Sequence, residues 1–308
     1  MRIGMFALAA GAPLDDVVAQ ARLARDAGLD SVFFGHVPSW DGLMAAALAG
    51  RETPGLEVGT AVVPTWPRHP LALASQALTA QAMAGGRFTL GIGPSHPPVI
   101  EGGHGIAYER PARHVREYLS ALRPLLRGED VEYRGETLTA VGTVDAPGAT
   151  PPPVIVSALG PAMLRVAGEL ADGTVTTWTG AATIADHIVP SITRAAEAAG
   201  RPAPRVLAGV VVALTTDPDG VRNQLAEQFA AASEFPGYRA ILDRQGLSGV
   251  HETVVAGDEA TVERELRRFA DAGATDLLIS PRGDAAPVLE LAATLRRPPV
   301  TATRATPA

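Results

Sequence analysis

A short unit recurs along this chain and narrows what the chain can fold into. Each copy runs from a helix end, through a glycine turn, into a strand. Ala24-Arg25-Asp26-Ala27-Gly28-Leu29-Asp30 leads into Ser31-Val32-Phe33-Phe34, and Gln81-Ala82-Met83-Ala84-Gly85-Gly86-Arg87 leads into Phe88-Thr89-Leu90-Gly91. Ala167-Gly168-Glu169-Leu170-Ala171-Asp172-Gly173 precedes Thr174-Val175-Thr176-Thr177, and Ala270-Asp271-Ala272-Gly273-Ala274-Thr275-Asp276 precedes Leu277-Leu278-Ile279. Further strands are predicted over 3–8, 56–63, 153–157 and 206–214, with helical patterns between them, the last core helix spanning 258–272. Strands that alternate with helices require a parallel sheet. Eight such units fit an α/β fold, the (β/α)8 TIM barrel, which commonly needs about 250 residues plus insertions. The barrel is predicted as one domain over 1–296, with a disordered Pro/Thr/Ala-rich tail over 297–308. An open doubly wound sheet would place G-x-G-x-x-G after its first strand, where Gly11 stands alone. Two segments fall outside the repeat: a hairpin over 131–141 and a longer insertion over 235–255 with a helix at 238–244.

Composition removes several chemistries. All 26 basic residues are arginine, which excludes a Schiff-base lysine and a P-loop lysine. Any anion must be held by arginine, backbone N–H groups or helix N-termini. Cysteine is absent, so thiolate catalysis, disulfides and Cys-ligated metals are excluded. A net charge of −7 argues against nucleic acid and anionic membranes as partners. The apolar run after Arg2 superficially resembles a short leader but leads straight into an amphipathic helix, so it reads as a buried first strand. A cytoplasmic location is expected.

In a barrel, function sits where the loops after the strands converge. The second strand spills into Phe34-Gly35-His36-Val37-Pro38-Ser39-Trp40, and the third into Pro64-Thr65-Trp66-Pro67-Arg68-His69-Pro70. The fourth gives Gly91-Ile92-Gly93-Pro94-Ser95-His96-Pro97, the fifth Ser157-Ala158-Leu159-Gly160-Pro161, the sixth Trp178-Thr179-Gly180 and the eighth Ser280-Pro281-Arg282-Gly283. All three tryptophans and His36, His69 and His96 fall in these loops, a pattern suited to a flat aromatic ligand. Structural histidines and tryptophans outnumber catalytic ones, so taken alone the His36–Trp40 loop reads as readily as packing. His104, His114, His187 and His251 lie on insertions or helices and are expected to face solvent. No metal is expected, because the H-x-H pair of barrel hydrolases is missing from the first strand. Glu101 and Glu109, placed deep in a loop, make a poor acid/base pair for glycoside hydrolysis.

The chain resembles the luciferase-like monooxygenase superfamily, and within it the branch that uses the deazaflavin coenzyme F420. The resemblance is carried by His36 and Trp40, by Gly59-Thr60-Ala61-Val62 leading to Arg68-His69-Pro70, by Gly85-Gly86-Arg87-Phe88-Thr89-Leu90-Gly91-Ile92-Gly93, and by Ala158-Leu159-Gly160-Pro161 through Ala171-Asp172-Gly173. The helix around Arg113, Glu117, Tyr118 and Leu119 is also similar. The resemblance implies a tricyclic ring in the barrel mouth, backed by a non-prolyl cis peptide at Ala61-Val62. It implies coenzyme contacts from His36, Gly93, Pro94, Ser95, His96, Ser157, Ala158, Leu159, Gly160 and Pro161. Two departures stand out: Gly35 where sugar-phosphate dehydrogenases of the branch carry an acid, and His96 where they carry a glutamate. A lysine-free chain also lacks their substrate-phosphate lysines.

The implied chemistry is hydride transfer between the deazaflavin and a small organic substrate. His36 is the expected general acid or base, Trp40 orients it or stacks on substrate, and His96 is the second catalytic candidate. Trp66, Trp178 and Arg282 are candidates for substrate contact. Two alternatives stay open: an FMN-dependent monooxygenase on the same barrel, and a flavin- or deazaflavin-binding protein without turnover. The resemblance is compatible with a homodimer.

Overall fold

A computed structural model describes residues 1–8 and 10–296; the tail expected from 297 onward lies outside them. Eight parallel strands form the frame: β1 (Arg2–Leu8), β2 (Ser31–Gly35), β3 (Glu57–Thr60), β4 (Phe88–Gly93), β5 (Val154–Ser157), β6 (Gly173–Thr176), β7 (Arg205–Leu214) and β8 (Asp276–Pro281). Each pairs with the next, and β8 returns to β1 through Arg2↔Asp276 to Met5↔Ile279, so the sheet closes into a (β/α)8 barrel. The strand expected over 56–63 is interrupted. After Thr60 the Ala61–Val62 peptide is cis, and the chain resumes as a short strand, Val63–Pro64, paired with Ile92 and Gly93. A further short strand, Val255–Gly257, begins where the expected insertion over 235–255 ends and extends the sheet beside the end of β7.

The helices that matter for the site are α1 (Leu14–Asp26), α2 (Gly42–Glu52), α3 (Pro70–Met83), α4 (Pro97–His104), α5 (Pro111–Leu126) and α6 (Pro161–Leu170). Glu101, expected in a loop, lies on α4. The chemistry of α4 is ordinary: Pro97 and Pro98 pre-set its first turn and Gly105, at φ +65°, ends it in the left-handed region. The helical pattern after the sixth strand runs continuously as Ala181–Thr183, a π turn at Ile184–Ile188 and α7 (Val189–Ala198). Pro190 offers no N–H to the preceding turn, and the π turn stands where that bond would fall. In α8 (Pro218–Gln228), α9 (Pro236–Gln245) and α10 (Glu259–Asp271) the expected helices of the last third are present. No helix among the described residues is long and apolar enough to cross a membrane.

Strand alternation sorts side chains into two cores. Val32 and Phe34 of β2 face the helices, within the large cluster that includes Leu43, Ala46, Leu73, Tyr118 and Leu122. Phe33 faces inward, where it joins Ile155, Val175, Leu207 and Leu278, with Phe6, Ala61 and Val62 packed against them. Gly59 is required here: a Cβ on it would lie 2.4 Å from the Phe33 ring.

Below that layer, at the amino end of the barrel, charge replaces apolar packing. Arg205 bridges Glu57 (2.9 Å) and Asp276 (2.5 Å), Arg2 also meets Glu57 (2.5 Å), and the Thr89 hydroxyl donates to Glu57 (2.6 Å). Burial opposes charge on Glu57, but Arg205 and Arg2 win and hold its carboxyl below the usual range. Removing one member leaves buried charge uncompensated. Arg205→Met is therefore expected to cost about 3–5 kcal/mol in urea unfolding. The carboxylate's contribution is present above its unfolded pKa and lost as pH falls through the lower folded value, so the wild-type advantage should shrink in acid. A variant as stable as wild type at neutral pH would contradict this role.

Candidate active site

Strand closure brings the loops after β2, β3, β4 and β5 to one rim. The Ala61 N–H donates to the Phe34 carbonyl (2.9 Å), which ties the break after β3 to the end of β2. Gly93 at the end of β4 meets both neighbours. A Cβ there would fall 2.2 Å from Ser157 Oγ and 2.9 Å from a Val62 methyl. Ala61, Val62, Gly93 and Ser157 thus form a small-residue, uncharged seat above the inner apolar layer.

His36 leaves β2 beside this seat. The Gly42 N–H, the first of α2, donates to its Nδ1 (3.3 Å), and among the described residues its Nε2 has no partner. Asp41 caps α2, accepting from the Leu43 and Met44 N–H groups (2.9 and 3.1 Å), and its other oxygen binds Arg68 (2.5 Å). Burial lowers the His36 pKa first, and Arg68 adds to the effect against the opposing pull of Asp41. The ring is neutral at pH 7.

His96 meets the insertion. Its ring centroid lies 4.5 Å from Phe235 and 4.6 Å from Tyr238. Those residues follow β7 whereas His96 follows β4, and β5 and β6 stand between these strands, so the contact reaches across the barrel mouth. Burial pushes the imidazole down to about 4. Ser95 holds φ +60°, and its carbonyl accepts from the Tyr108 hydroxyl (3.0 Å).

The fifth-strand loop is different in kind. Ala158 is buried, the Leu159 carbonyl is bound by His187 Nε2 (2.8 Å), and Gly160 caps α6 without a side chain, facing open space. Pro161 at the first helical position leaves the next N–H groups of a ten-residue helix for an anion.

Several expected residues are placed elsewhere or engaged differently. Trp40 makes no hydrogen bond to His36; its indole N–H donates to the Ala12 carbonyl (2.9 Å) and the residue is 43% exposed. The three tryptophans do not stack together. Trp66 lies on His114 (3.6 Å, 6°) and Trp178, at φ +54°, tilts on Phe229 (5.3 Å). Arg282 binds Gln228 (2.7 Å). His69 caps α3 and reaches the Thr139 carbonyl (2.8 Å), away from the other two loop histidines. Among the described residues no three His, Asp or Glu side chains could hold a metal.

Two histidines expected in solvent are buried. His187 sits on the π turn, which shifts the helical phase that sequence spacing assumes. His114 lies four residues before Tyr118 on the buried face of α5, and that spacing was a usable signal. Thr65 donates its hydroxyl to Gly93 (3.3 Å), so His114 Nε2 is the donor in its 3.1 Å bond to Thr65. Its Nδ1 and the Trp66 indole N–H have no partner among the described residues.

Residues 1–276 match the family model described as luciferase-like monooxygenase. The chain belongs to that family. Among its relatives, a 5,10-methylenetetrahydromethanopterin reductase of Methanolobus tindarius is 27% identical over 80% of this chain and 75% of its own length. An F420-dependent glucose-6-phosphate dehydrogenase of Amycolatopsis mediterranei is 26% identical over 85% of this chain and 87% of its own. In fold, the luciferase-like barrel matches the coenzyme F420-dependent tetrahydromethanopterin reductase from Methanopyrus kandleri with a TM-score of 0.81 at 22% identity, covering 95% of this chain and 97% of that one. It also matches the FMN-bound oxygenating component of 3,6-diketocamphane monooxygenase from Pseudomonas putida at 0.74 and 19% identity, over 94% and 96%.

The aromatic contact across the mouth yields a prediction. Phe235→Ala opens one side of His96 to water, so its pKa should rise from about 4 toward the ordinary histidine value. An NMR titration of the ring measures this; an unmoved pKa would mean that Phe235 does not shield it.

Proposed function

We propose that this luciferase-like protein is an oxidoreductase that works with coenzyme F420 and moves a hydride between the deazaflavin and a small organic substrate. The observation that carries the reading is the seat above the barrel's inner layer, where Ala61, Val62, Gly93 and Ser157 meet beside a neutral His36 with an open Nε2. A tricyclic ring needs a flat, uncharged surface of small side chains, and this rim supplies one. Its anionic tail needs donors, and in a chain without lysine the N–H groups of α6 beyond Gly160 and Pro161 suit it. Ser95, His96, Ala158 and Leu159 border the same rim and complete the cofactor contacts. The bound deazaflavin would supply the hydride chemistry. His36 faces the reacting groups and holds a proton there, while the Asp41–Arg68 pair fixes the turn that presents it. Trp66, carrying an unpartnered indole N–H, is the strongest of the substrate-contact candidates.

Support for F420 over FMN comes from the two relatives above, one an F420-dependent dehydrogenase by name and the other a methylenetetrahydromethanopterin reductase. Titration of the purified protein tests it. F420 should bind in the micromolar range, well below the ~1 mM upper end of ordinary enzyme affinities, and more tightly than FMN. Tighter FMN binding would make the protein a flavin monooxygenase instead, and binding of neither would remove both readings. His36→Ala should cut turnover about 10²-fold while leaving F420 affinity nearly intact. Unchanged turnover would take His36 out of the reaction.

A further inference from the structure

We infer that His36 acts as a neutral hydrogen-bond donor with its proton fixed on Nε2, polarising a substrate carbonyl or imine, and not as a base that takes a proton from a hydroxyl. The inference rests on the oxidoreductase reading above and names its substrate class. Its ground is the Gly42 N–H, which donates to Nδ1 at 3.3 Å. A backbone amide cannot accept a hydrogen bond, so Nδ1 must present a lone pair, and the proton of a neutral ring then sits on Nε2. For Nε2 to serve as a base, Nδ1 would have to carry the proton, which sets two N–H groups head to head and breaks the bond.

The amide is held firmly. Gly42 opens α2, Asp41 caps that helix through Leu43 and Met44, and Arg68 grips the second oxygen of Asp41. The charged and titratable groups around the ring are Arg68, Asp41 and His104. Arg68 and the positive end of α2 oppose an imidazolium. Asp41 favours one, but its oxygens are occupied by the cap and by Arg68. A helix N-terminus that keeps an imidazole neutral, so that it polarises a carbonyl, is an established enzymatic device.

The step balances without a proton from the ring. A new C–H bond forms at the carbonyl or imine carbon with the hydride that reduced deazaflavin, the reductant of the proposed reaction, provides. The π pair moves to the oxygen or nitrogen, which is held by the His36 Nε2–H and takes its proton from water in the open mouth. The Nε2 proton stays where it was. Gly35 is consistent with this: it offers no carboxyl beside the histidine to receive a proton.

Nitrogen-15 NMR of histidine-labelled full-length protein, with His36 assigned by difference from His36→Gln, tests the tautomer. The expected result is the Nε2–H form at neutral pH, shifting toward a mixture of tautomers in Gly42→Pro, where proline suits the first helical position but has no N–H. An Nδ1–H tautomer in the wild type overturns the inference whether or not the Gly42→Pro variant folds. Turnover gives an independent readout, because a glutamine amide can donate from nearly the Nε2 position but cannot act as a base. His36→Gln should retain activity within about tenfold of wild type while His36→Ala loses about 10²-fold. Equal losses would overturn the donor role. Failure of the wild-type protein to bind F420 would remove the oxidoreductase reading and leave the tautomer result standing, so the two failures are distinguishable.

Discussion

The inside of this barrel is filled. Phe33, Ile155, Val175, Leu207 and Leu278 close it into a packed layer, with Phe6, Ala61 and Val62 resting on them. A (β/α)8 sheet with such a plug has no passage along its axis, so any ligand must lie on the plug or outside the barrel. The plug also fixes which residues can be glycine: Gly59 makes room for the Phe33 ring, and Gly93, within the seat, lets β4 and β5 approach. The seat rests on an apolar layer, where an unpaired charge would be costly.

Charge is distributed accordingly. The amino end of the barrel carries a neutralised cluster of Arg2, Glu57, Arg205 and Asp276. The mouth instead carries imidazoles that burial holds neutral: His36, His96 and His114 all have lowered pKa values. A neutral ring offers one N–H donor and one lone pair, so it can orient a substrate by hydrogen bonds without placing a charge in a half-buried site. Arg68 is the cation that acts on His36, and it is paired with Asp41.

Much of the fold was legible because the helix–glycine–strand unit repeats. The glycines at 28, 85, 86 and 273 adopt positive φ, a requirement that leaves a mark in sequence. What the sequence hid depended on phase and on distance. One π turn rotated His187 from the solvent side to the Leu159 carbonyl, and no periodicity rule for an α-helix anticipates that. The His96 contact with Phe235 and Tyr238 joins positions about 140 residues apart through an insertion, a pairing that local pattern cannot carry. Loop position puts His36 just past the end of β2, where it stands, yet the same rule grouped it with Trp40, whose indole turns to Ala12. Position in a loop gives the rim; it does not give the direction of the side chain.

In the function proposed above, a deazaflavin lies on the plug, with His36 facing it through Nε2. A crystal structure of the protein soaked with F420 tests this most directly. The tricycle is then expected against Ala61, Val62 and Gly93, with the phosphate at the N-terminus of α6. Density for the ring outside the barrel, such as in the cleft of about 400 Å³ lined by Gly180, Gln245, Thr261 and Arg268, would contradict it.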